Sequence, residues 1–429
     1  MAIVAPSTVS IGPRRRAAPT VIDLFAGCGG LSLGLELAGF VPIFVNELNR
    51  DAMESYLLNR RRQYPDLDTP AGKAYDIFDV TRQKADLRAF VSHLRLVRSI
   101  PDVDLVAGGP PCQGYSGIGH RRTFTDLTKH EIPSNHLYRE MAKFIEAVRP
   151  KLFLFENVKG LLSSRWMPAG ERGEIWADVK ATFGSLTGYD IRAQVVQAKS
   201  WGVPQNRPRV LLVGVRTDLG WRPMPGRLAD GLLPEPLSGQ TPDPEDFLGD
   251  LVDDNYRAKA ATTTYPVDAT TEAQRWYRKD RAGQLLRGGS VVSEHVYSSH
   301  KPHIVAKFNY MINNGGRIRP SDQTKKFAQR VIPRRWGPAG PTITTTSLPD
   351  DYVHFSQPRI PTVREWARFQ TFPDWYQFSG SRTTGGRRRA GDPSAGNWTR
   401  EVPKYTQIGN AVPVWLARAV GENFQTLLR

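Results

Sequence analysis

A cysteine on a tight loop is the residue of this sequence best placed to do chemistry. Cys112 lies in residues 110–114 (PPCQG), which follow the apolar run Val103–Ala107. Open α/β sheets bind their ligands at the carboxyl ends of strands, where this loop is expected. The alternative is that Cys112 is a small buried hydrophobe. Its proline and glycine flanks favour a reactive position instead.

A carboxyl group is expected close to that thiol. A second apolar strand, Leu152–Phe155, runs directly into Glu156. Between the two strands lies a stretch with helical periodicity, whose apolar residues are Leu137, Met141, Phe144, Ile145 and Val148. A strand, a crossover helix and a second strand are parallel and usually adjacent, about 4.8 Å apart. Cys112 and Glu156 are therefore predicted to converge on one small ligand.

A glycine-rich turn predicts a cofactor site in the same sheet. Residues 25–30 (FAGCGG) follow a predicted strand and open a helix, so the backbone can approach an anionic ligand. Glu47 ends the next predicted strand about 20 residues on, where a carboxylate typically binds ribose hydroxyls. This pattern fits NAD, FAD or S-adenosylmethionine, and a purely structural glycine turn is the alternative.

The surrounding pattern predicts a doubly wound, mostly parallel α/β sheet over residues 20–216. Residues 1–19 are expected to form a disordered tail. The alternation of strand-like and helix-like patterns ends after Val215. Residues 257–349 carry 16 Lys and Arg against 5 Asp and Glu, interleaved with aromatic residues. The predicted strands are Val21–Phe25, Val41–Val45, Tyr75–Val80, Val103–Ala107, Leu152–Phe155, Arg192–Ala198 and Val210–Val215.

The net charge limits the class of partner. The chain of 429 residues has a formal net charge of +16, which favours a polyanionic partner. The basic segment is typical of a nucleic-acid-binding module, and a solvated basic insertion is the alternative. Two cysteines exclude a disulfide framework, and His120, His130 and His136 lack metal-ligand spacing, so no metal is expected. No apolar run reaches the roughly 20 residues of a membrane span, and we expect a cytoplasmic protein associated with the nucleoid.

Five sequence blocks together resemble one family. They are residues 23–30 (DLFAGCGG), 108–114 (GGPPCQG), 156–158 (ENV), 205–209 (QNRPR) and 407–413 (QIGNAVP). In this order they resemble the motifs of DNA (cytosine-5) methyltransferases of the prokaryotic restriction-modification or defence type. The resemblance implies a Rossmann-like methyltransferase fold with S-adenosylmethionine as cofactor and double-stranded DNA as substrate.

The resemblance also implies catalytic roles. The thiolate matching Cys112 adds to C6 of a flipped-out cytosine, and the carboxyl matching Glu156 donates to N3. Arg209 is expected to reach the cytosine O2, with Arg207 in support. Because Gln205, Arg207 and Arg209 alternate along an extended segment, they are predicted to share one face.

Cofactor contacts follow from the same resemblance. Phe25 lies on the adenine face, Glu47 binds the ribose, and Asp76 with Ile77 contacts the adenine edge. Leu48 departs from the family, which often has a tryptophan there. The other expected cofactor residues are Asp23, Ala26, Gly27, Gly29, Gly30, Pro110, Asn410 and Val412.

DNA contacts are expected from a lid and from a recognition domain. The loop from residue 113 to about 134 has glycine hinges and cations, which is typical of a closing lid. Gln113, Ser116, Arg121 and Arg122 are the candidate DNA contacts in this loop, and Gln205 is a further candidate outside it. Residues 359–373 resemble the block that organises target recognition, which makes residues 217–357 the recognition domain and residues 358–429 its support and the return to the catalytic domain. Residues 379–404 are a longer basic spacer than the family often has.

Other functions explain less of the sequence. An RNA cytosine-5 methyltransferase shares the motifs but does not require so large a basic module. A catalytically silent DNA-binding protein does not require Cys112, Glu156 and Arg209. A nicotinamide oxidoreductase explains only the glycine turn and Glu47. A monomer on DNA, with a cognate endonuclease or defence proteins as possible partners, is the expected assembly.

Overall fold

The computed structural model describes residues 18–111, 133–237, 241–257, 264–323, 329–336, 351–383 and 401–429. Cys112, Gln113, Ser116, Arg121 and Arg122 lie outside the described residues, as do the predicted N-terminal tail up to residue 17 and most of the basic spacer.

A seven-stranded sheet has the order β3-β2-β1-β4-β5-β7-β6. The pairs from β3 to β5 are parallel, whereas β7 runs antiparallel to both β5 and β6. The predicted doubly wound, mostly parallel sheet is therefore confirmed. The strands are β1 Thr20–Leu24, β2 Val41–Asn46, β3 Lys73–Ala74, β4 Leu105–Gly108, β5 Leu152–Val158, β6 Tyr189–Gln197 and β7 Pro208–Arg216.

One predicted strand is wrong. Residues 75–80 do not form a strand, since β3 ends at Ala74 and a helical turn begins at Phe78. The carboxylate of Asp76 accepts a hydrogen bond from the Phe78 backbone N–H at 3.0 Å. This local bond competes with strand pairing and favours a turn at Asp76.

Helices cover both faces of the sheet. They are α1 Gly30–Leu37, α2 Arg50–Leu58, α3 Phe78–Thr81, α4 Lys84–Arg98, α5 Leu137–Val148, α6 Glu174–Gly184, α7 Pro244–Leu248, α8 Glu272–Tyr277, α9 Pro302–Asn313, α10 Val363–Phe369, α11 Lys404–Asn410 and α12 Val414–Leu427. Successive strand residues point to opposite faces. Ile22 and Phe153 pack with α4, α5 and α6, and Val21 and Leu154 pack with α1 and α12. Burial on both faces explains why these strands are continuously apolar.

The C-terminal helix α12 packs against α1. The contact is close enough to require glycine. A Cβ added to Gly34 would lie 2.4 Å from the Ala417 Cβ and 2.5 Å from the Val414 carbonyl oxygen. The chain end is thereby fixed beside the helix that follows the glycine turn.

The described residues between 241 and 383 form a region outside the seven-stranded sheet, with a short parallel pair, β8 Arg330–Val331 and β9 Tyr352–Val353. Its centre is a buried ionic cluster around α10. Arg368 donates to Asp250 and Asp374, and Arg359 binds Glu365 with two hydrogen bonds of 2.7 Å. Buried charges of this kind are costly unless paired, so the cluster ties together segments that are distant in sequence.

In the described residues no helix is long and apolar enough to cross a membrane.

Candidate active site

The carboxyl ends of three neighbouring strands meet at one point of the sheet. Leu24 of β1 pairs with Gly108 of β4, and Gly108 pairs with Phe155 of β5. The next residues along the three strands are Phe25, Gly109 and Glu156. The glycine turn, the loop that leads to Cys112 and the carboxyl group therefore begin side by side.

Glu156 is held by an arginine from the antiparallel strand. The Arg209 Nε lies 2.6 Å from the Glu156 Oε1, and both residues are less than a tenth exposed. Strand β7 pairs Arg209 with Val158 and Leu211 with Glu156. Arg209 and Glu156 are thus diagonal neighbours on one face of the sheet. The reversed direction of β7 is what brings the guanidinium to the carboxyl group.

The strand end also fixes the approach to Cys112. The Asn157 Nδ2 donates a hydrogen bond of 3.1 Å to the Pro110 carbonyl oxygen. A Cβ added to Gly109 would lie 2.9 Å from the Glu156 Oε2, so any larger residue would require this carboxyl group to shift. Oε2 therefore faces the start of the loop, and Oε1 faces Arg209. Cys112 itself lies outside the described residues, and its proximity to Glu156 stays a prediction.

The glycine turn is held on its outer side by Glu47. The Gly27 N–H donates 2.8 Å to one oxygen of Glu47, and the Asn49 N–H donates 2.7 Å to the other. Burial raises the pKa of Glu47, and the two backbone donors oppose that rise. Each oxygen retains capacity for another hydrogen bond. Phe25 and Gly27 both have φ near the left-handed region, at 56° and 57°, which makes the turn tight.

The other expected cofactor residues surround this turn. Leu48 is 66% exposed, whereas Ile77 is buried. Asn46 positions the segment before Asp76, because its Nδ2 donates 2.9 Å to the Tyr75 carbonyl oxygen. The rim of the turn thus has an exposed apolar side chain, that of Leu48, directly after the carboxylate residue Glu47 in the sequence.

The C-terminal strip closes the turn from the other side. A Cβ added to Gly30 would lie 2.4 Å from the Val412 carbonyl oxygen, so the two segments touch. Asn410 is exposed at the end of α11. Blocks that are distant in sequence, residues 23–30 and 407–413, thus meet in space.

Comparison with known proteins decides the family. The sequence profile of the C-5 cytosine-specific DNA methylase family matches residues 19–426. The chain belongs to this family. It is 31% identical to the type II methyltransferase M.DdeI of Desulfomicrobium norvegicum, over 94% of this chain and 87% of that protein. It is 30% identical to M.XorII of Xanthomonas oryzae pv. oryzae, over 96% and 85%.

A solved structure shows the same fold. It is the crystal structure of a protein described as a DNA modification methyltransferase encoded within a prophage (E. coli). The TM-score is 0.66 at 21% identity, and the match covers 96% of this chain and 99% of that chain. The protein is therefore an S-adenosylmethionine-dependent DNA (cytosine-5) methylase, as the sequence motifs predicted.

The methylase's cofactor fits the residues of the turn. A Cβ at Gly27 would meet nothing within 4 Å, so the space in front of the turn is open. The Glu47 oxygens have acceptor capacity for ribose hydroxyls, and the exposed Leu48 offers an apolar surface to a base. S-adenosylmethionine supplies a methyl group on a sulfonium sulfur, an electrophile for carbon.

Two expected residues, Gln205 and Arg207, have other surroundings in this methylase. Gln205 is buried, and its Nε2 donates 2.9 Å to the Phe369 carbonyl oxygen. The Arg207 Nη2 donates 2.7 Å to the Gly409 carbonyl oxygen and 3.1 Å to that of Ala411. Only Arg209 turns to Glu156, which corrects the expectation of one shared face. Gln205 and Arg207 fasten the C-terminal strip, because their segment bends before β7 begins.

Asp23, which was expected among the cofactor residues, also lies in the core. Its side chain is fully buried and accepts a hydrogen bond of 2.5 Å from the Ser32 Oγ in the first turn of α1. Burial raises the pKa of Asp23 to about 7. Cys28 is buried as well, and burial raises the pKa of its thiol to about 12, so it is not a thiolate at neutral pH.

Sequence reasoning missed several residues of the methylase site. Asn157 and Gly109 were only flanking residues of two motifs, yet they position the loop and the carboxyl group. Arg60 and Tyr376 lie outside the motifs used and reach the glycine turn from behind. The polar residues of the block 156–158 were the sequence feature from which a role for Asn157 could have been predicted. For Arg60 and Tyr376 the sequence offers none.

Proposed function

We propose that the strand ends around Glu156 form the site in which cytosine is methylated at C5, with Cys112 as the nucleophile. The observation that supports this most directly is the Arg209–Glu156 ion pair beside Gly109 and Pro110, at 2.6 Å. The carboxyl group is fixed where the loop carrying Cys112 begins. A nucleophile and a proton donor are both needed, because C5 of cytosine is a poor nucleophile.

Each residue has a distinct task in this proposal. The Cys112 thiolate adds to C6, and Glu156 donates a hydrogen bond or proton to N3, so that the negative charge is dispersed and C5 becomes nucleophilic. Arg209 holds Oε1 of Glu156 and leaves Oε2 towards the base. C5 then takes the methyl group and S-adenosylhomocysteine leaves. The C5 proton passes to solvent, the C6–sulfur bond breaks, which restores the thiolate, and Glu156 recovers the proton from N3.

The cofactor is held by the turn and its rim. Glu47 binds the ribose hydroxyls, while Phe25, Leu48, Asp76 and Ile77 surround the adenine. The backbone of Ala26, Gly27, Gly29 and Gly30 and the loop at Pro110 enclose the methionine part, with Asn410 and Val412 behind it. Asp23 supports the turn through Ser32.

DNA is bound between the lid and the recognition domain. Gln113, Ser116, Arg121 and Arg122 contact the flipped nucleotide or its backbone, and unpairing the base costs a few kcal/mol. The basic residues of 217–357 bind phosphates, and a few side chains read bases. Residues 358–429 support this domain and return to the catalytic one. For Gln205 the buried amide supports a positioning role through α10 rather than a DNA contact.

The type II relatives support a restriction-modification setting for this proposal. The protein acts as a monomer on double-stranded DNA in the cytoplasm, associated with the nucleoid. It modifies a specific sequence, with a cognate endonuclease or defence proteins as partners.

The test is expression in a host without cytosine methylation, followed by bisulfite sequencing of the host genome. We expect protected cytosines in one recurring context with the wild type and none with Cys112→Ala. Cys112→Ala should still bind DNA. Complete conversion with soluble wild-type protein would contradict DNA methylation, and parallel assays on total cellular RNA would then test the RNA alternative.

A domain exchange tests the recognition assignment. Residues 217–357 are replaced by the matching segment of a relative with a different target. The protected context should change to that of the donor. An active chimera that keeps its original context would refute the assignment.

A further inference from the structure

A buried polar cluster supports the glycine turn from behind. It consists of Glu36, Tyr56, Arg60 and Tyr376, and we call it the turn-support cluster. The last three side chains are at most 1% exposed. Arg60 forms an ion pair of 2.6 Å with Glu36 and lies 3.8 Å from the centre of the Tyr56 ring. Burial opposes the charge on Arg60, but Glu36 and the two tyrosines hold its pKa above the usual value.

Two members of the cluster bind the turn itself. The Tyr376 hydroxyl donates 2.5 Å to the Cys28 carbonyl oxygen, and it accepts a hydrogen bond of 2.9 Å from the Arg60 Nη1. The Arg60 Nη2 donates 3.2 Å to the Gly29 carbonyl oxygen. The two carbonyls are thus held from inside, while the Gly27 N–H is held from outside by Glu47.

The cluster leaves no room for a side chain at Gly29. A Cβ there would lie 2.8 Å from each of three atoms, in Arg60, Tyr376 and Tyr56. Burial raises the pKa of Tyr376, so its hydroxyl stays protonated and donates. A displacement of Tyr376 would therefore also displace the glycine turn.

Tyr376 lies in the region between residues 241 and 383, outside the seven-stranded sheet. It follows α10, and its carbonyl oxygen accepts 2.6 Å from the Arg364 Nη2. The same guanidinium donates 2.9 Å to the Ser293 Oγ and 3.1 Å to the Ser293 carbonyl oxygen. Ser293 lies within the basic aromatic segment 257–349. A continuous path of hydrogen bonds runs from Ser293 through Arg364 and Tyr376 to Cys28.

We propose that Tyr376 is a positioning residue for the cofactor turn and that it couples cofactor affinity to DNA binding by the segment 257–349. The coupling half rests on the proposed function of that segment, whereas the positioning half needs only the cofactor site. Coupling between two sites is reciprocal, so DNA raises cofactor affinity if it favours the arrangement of Arg364 and Tyr376 that the bound cofactor also favours.

The positioning half is tested with Tyr376→Phe, which removes one oxygen atom. The matched control is Tyr277→Phe, since the Tyr277 hydroxyl is also buried and donates 2.7 Å to a backbone carbonyl, that of Arg368. Binding of S-adenosylhomocysteine is measured by calorimetry, and Tm is measured for both variants. Loss of one hydrogen bond should raise the Kd of Tyr376→Phe about fivefold. KM for S-adenosylmethionine should rise more than kcat falls.

The outcomes separate positioning from general destabilisation. Both variants should lose similar Tm, but Tyr277→Phe should bind S-adenosylhomocysteine like the wild type. Equal Kd values for the wild type and Tyr376→Phe would overturn the positioning role, and so would an equal rise in both variants. Failure of the wild type to bind S-adenosylhomocysteine would instead contradict the cofactor site.

The coupling half is tested by repeating the titration with a DNA duplex. The duplex carries the context found by bisulfite sequencing, and a duplex without it is the control. We expect DNA to lower the wild-type Kd and to change that of Tyr376→Phe by a smaller factor. Ser293→Ala, at the far end of the path, should reduce this factor while the Kd without DNA stays unchanged. The same factor in all three proteins would overturn the coupling.

Discussion

The side-chain amide of Asn157 donates a hydrogen bond of 3.1 Å to the carbonyl oxygen of Pro110, two residues before Cys112. The residue after the candidate acid thus holds the backbone that leads to the candidate nucleophile. Its Oδ1 accepts 2.9 Å from the Val158 N–H, so the side chain is fixed at both ends. Strand β5 positions the carboxyl group and the loop together.

Replacing Asn157 should slow catalysis without weakening cofactor binding. In Asn157→Asp the donor becomes a carboxylate oxygen, which repels the Pro110 carbonyl and displaces the loop. We expect kcat to fall about 10-fold to 100-fold, the range that a displacement of about 1 Å produces. The Kd for S-adenosylhomocysteine should stay unchanged, because Asn157 does not contact the glycine turn. Single-turnover methylation at saturating cofactor measures the effect, and a normal rate would remove the positioning role.

Gly109→Ala should damage the site through Glu156. The added Cβ would lie 2.9 Å from the Glu156 Oε2, so the carboxyl group must move. We expect a loss of at least about tenfold in kcat. Gly184→Ala is the matched control, because a Cβ at Gly184 meets nothing within 4 Å. Comparable activity of the two variants would show that Glu156 tolerates displacement.

Glu156→Gln should reduce kcat about 10²-fold to 10⁴-fold, the usual contribution of general acid catalysis. The amide keeps the volume of the carboxyl group, so circular dichroism should show a folded protein. Arg209→Lys should also lower kcat, because lysine lacks the planar fork that holds the carboxyl group. The double variant should lose less than the product of the two single losses, since the pair acts as a unit. Independent, multiplicative losses would contradict joint action.

Asp23 should make stability depend on pH. Its pKa is raised from 3.8 to about 7 by burial, so the folded state binds the proton more tightly than the unfolded state. The free energy of unfolding therefore falls as pH rises from about 4 to about 7, by up to about 1.4 kcal/mol per pH unit for one proton. Asp23→Asn keeps the shape without the charge and should flatten this dependence. Urea unfolding of both proteins at pH 5 and pH 8 measures the difference, and parallel pH profiles would refute the assignment.

The sequence by itself determined the class of fold and of chemistry. Strands buried on both faces must be apolar throughout, and turns at their ends need glycine. The local sequence pattern was therefore sufficient to predict the doubly wound sheet. The motifs around Cys112, Glu156 and the glycine turn indicated the family, which the profile match over residues 19–426 confirms. The strand predicted over residues 75–80 is wrong because the Asp76 side chain accepts a hydrogen bond from the Phe78 N–H, which favours a turn there.

Only the tertiary structure decided which motif residues meet. The alternation of Gln205, Arg207 and Arg209 predicted one face, yet the antiparallel direction of β7 takes Arg209 alone to Glu156. Tyr376 reaches the Cys28 carbonyl oxygen across 348 positions of sequence. Such contacts depend on the directions of strands and on packing between distant segments. Local sequence constrains neither, because many partners satisfy the same buried hydroxyl or guanidinium.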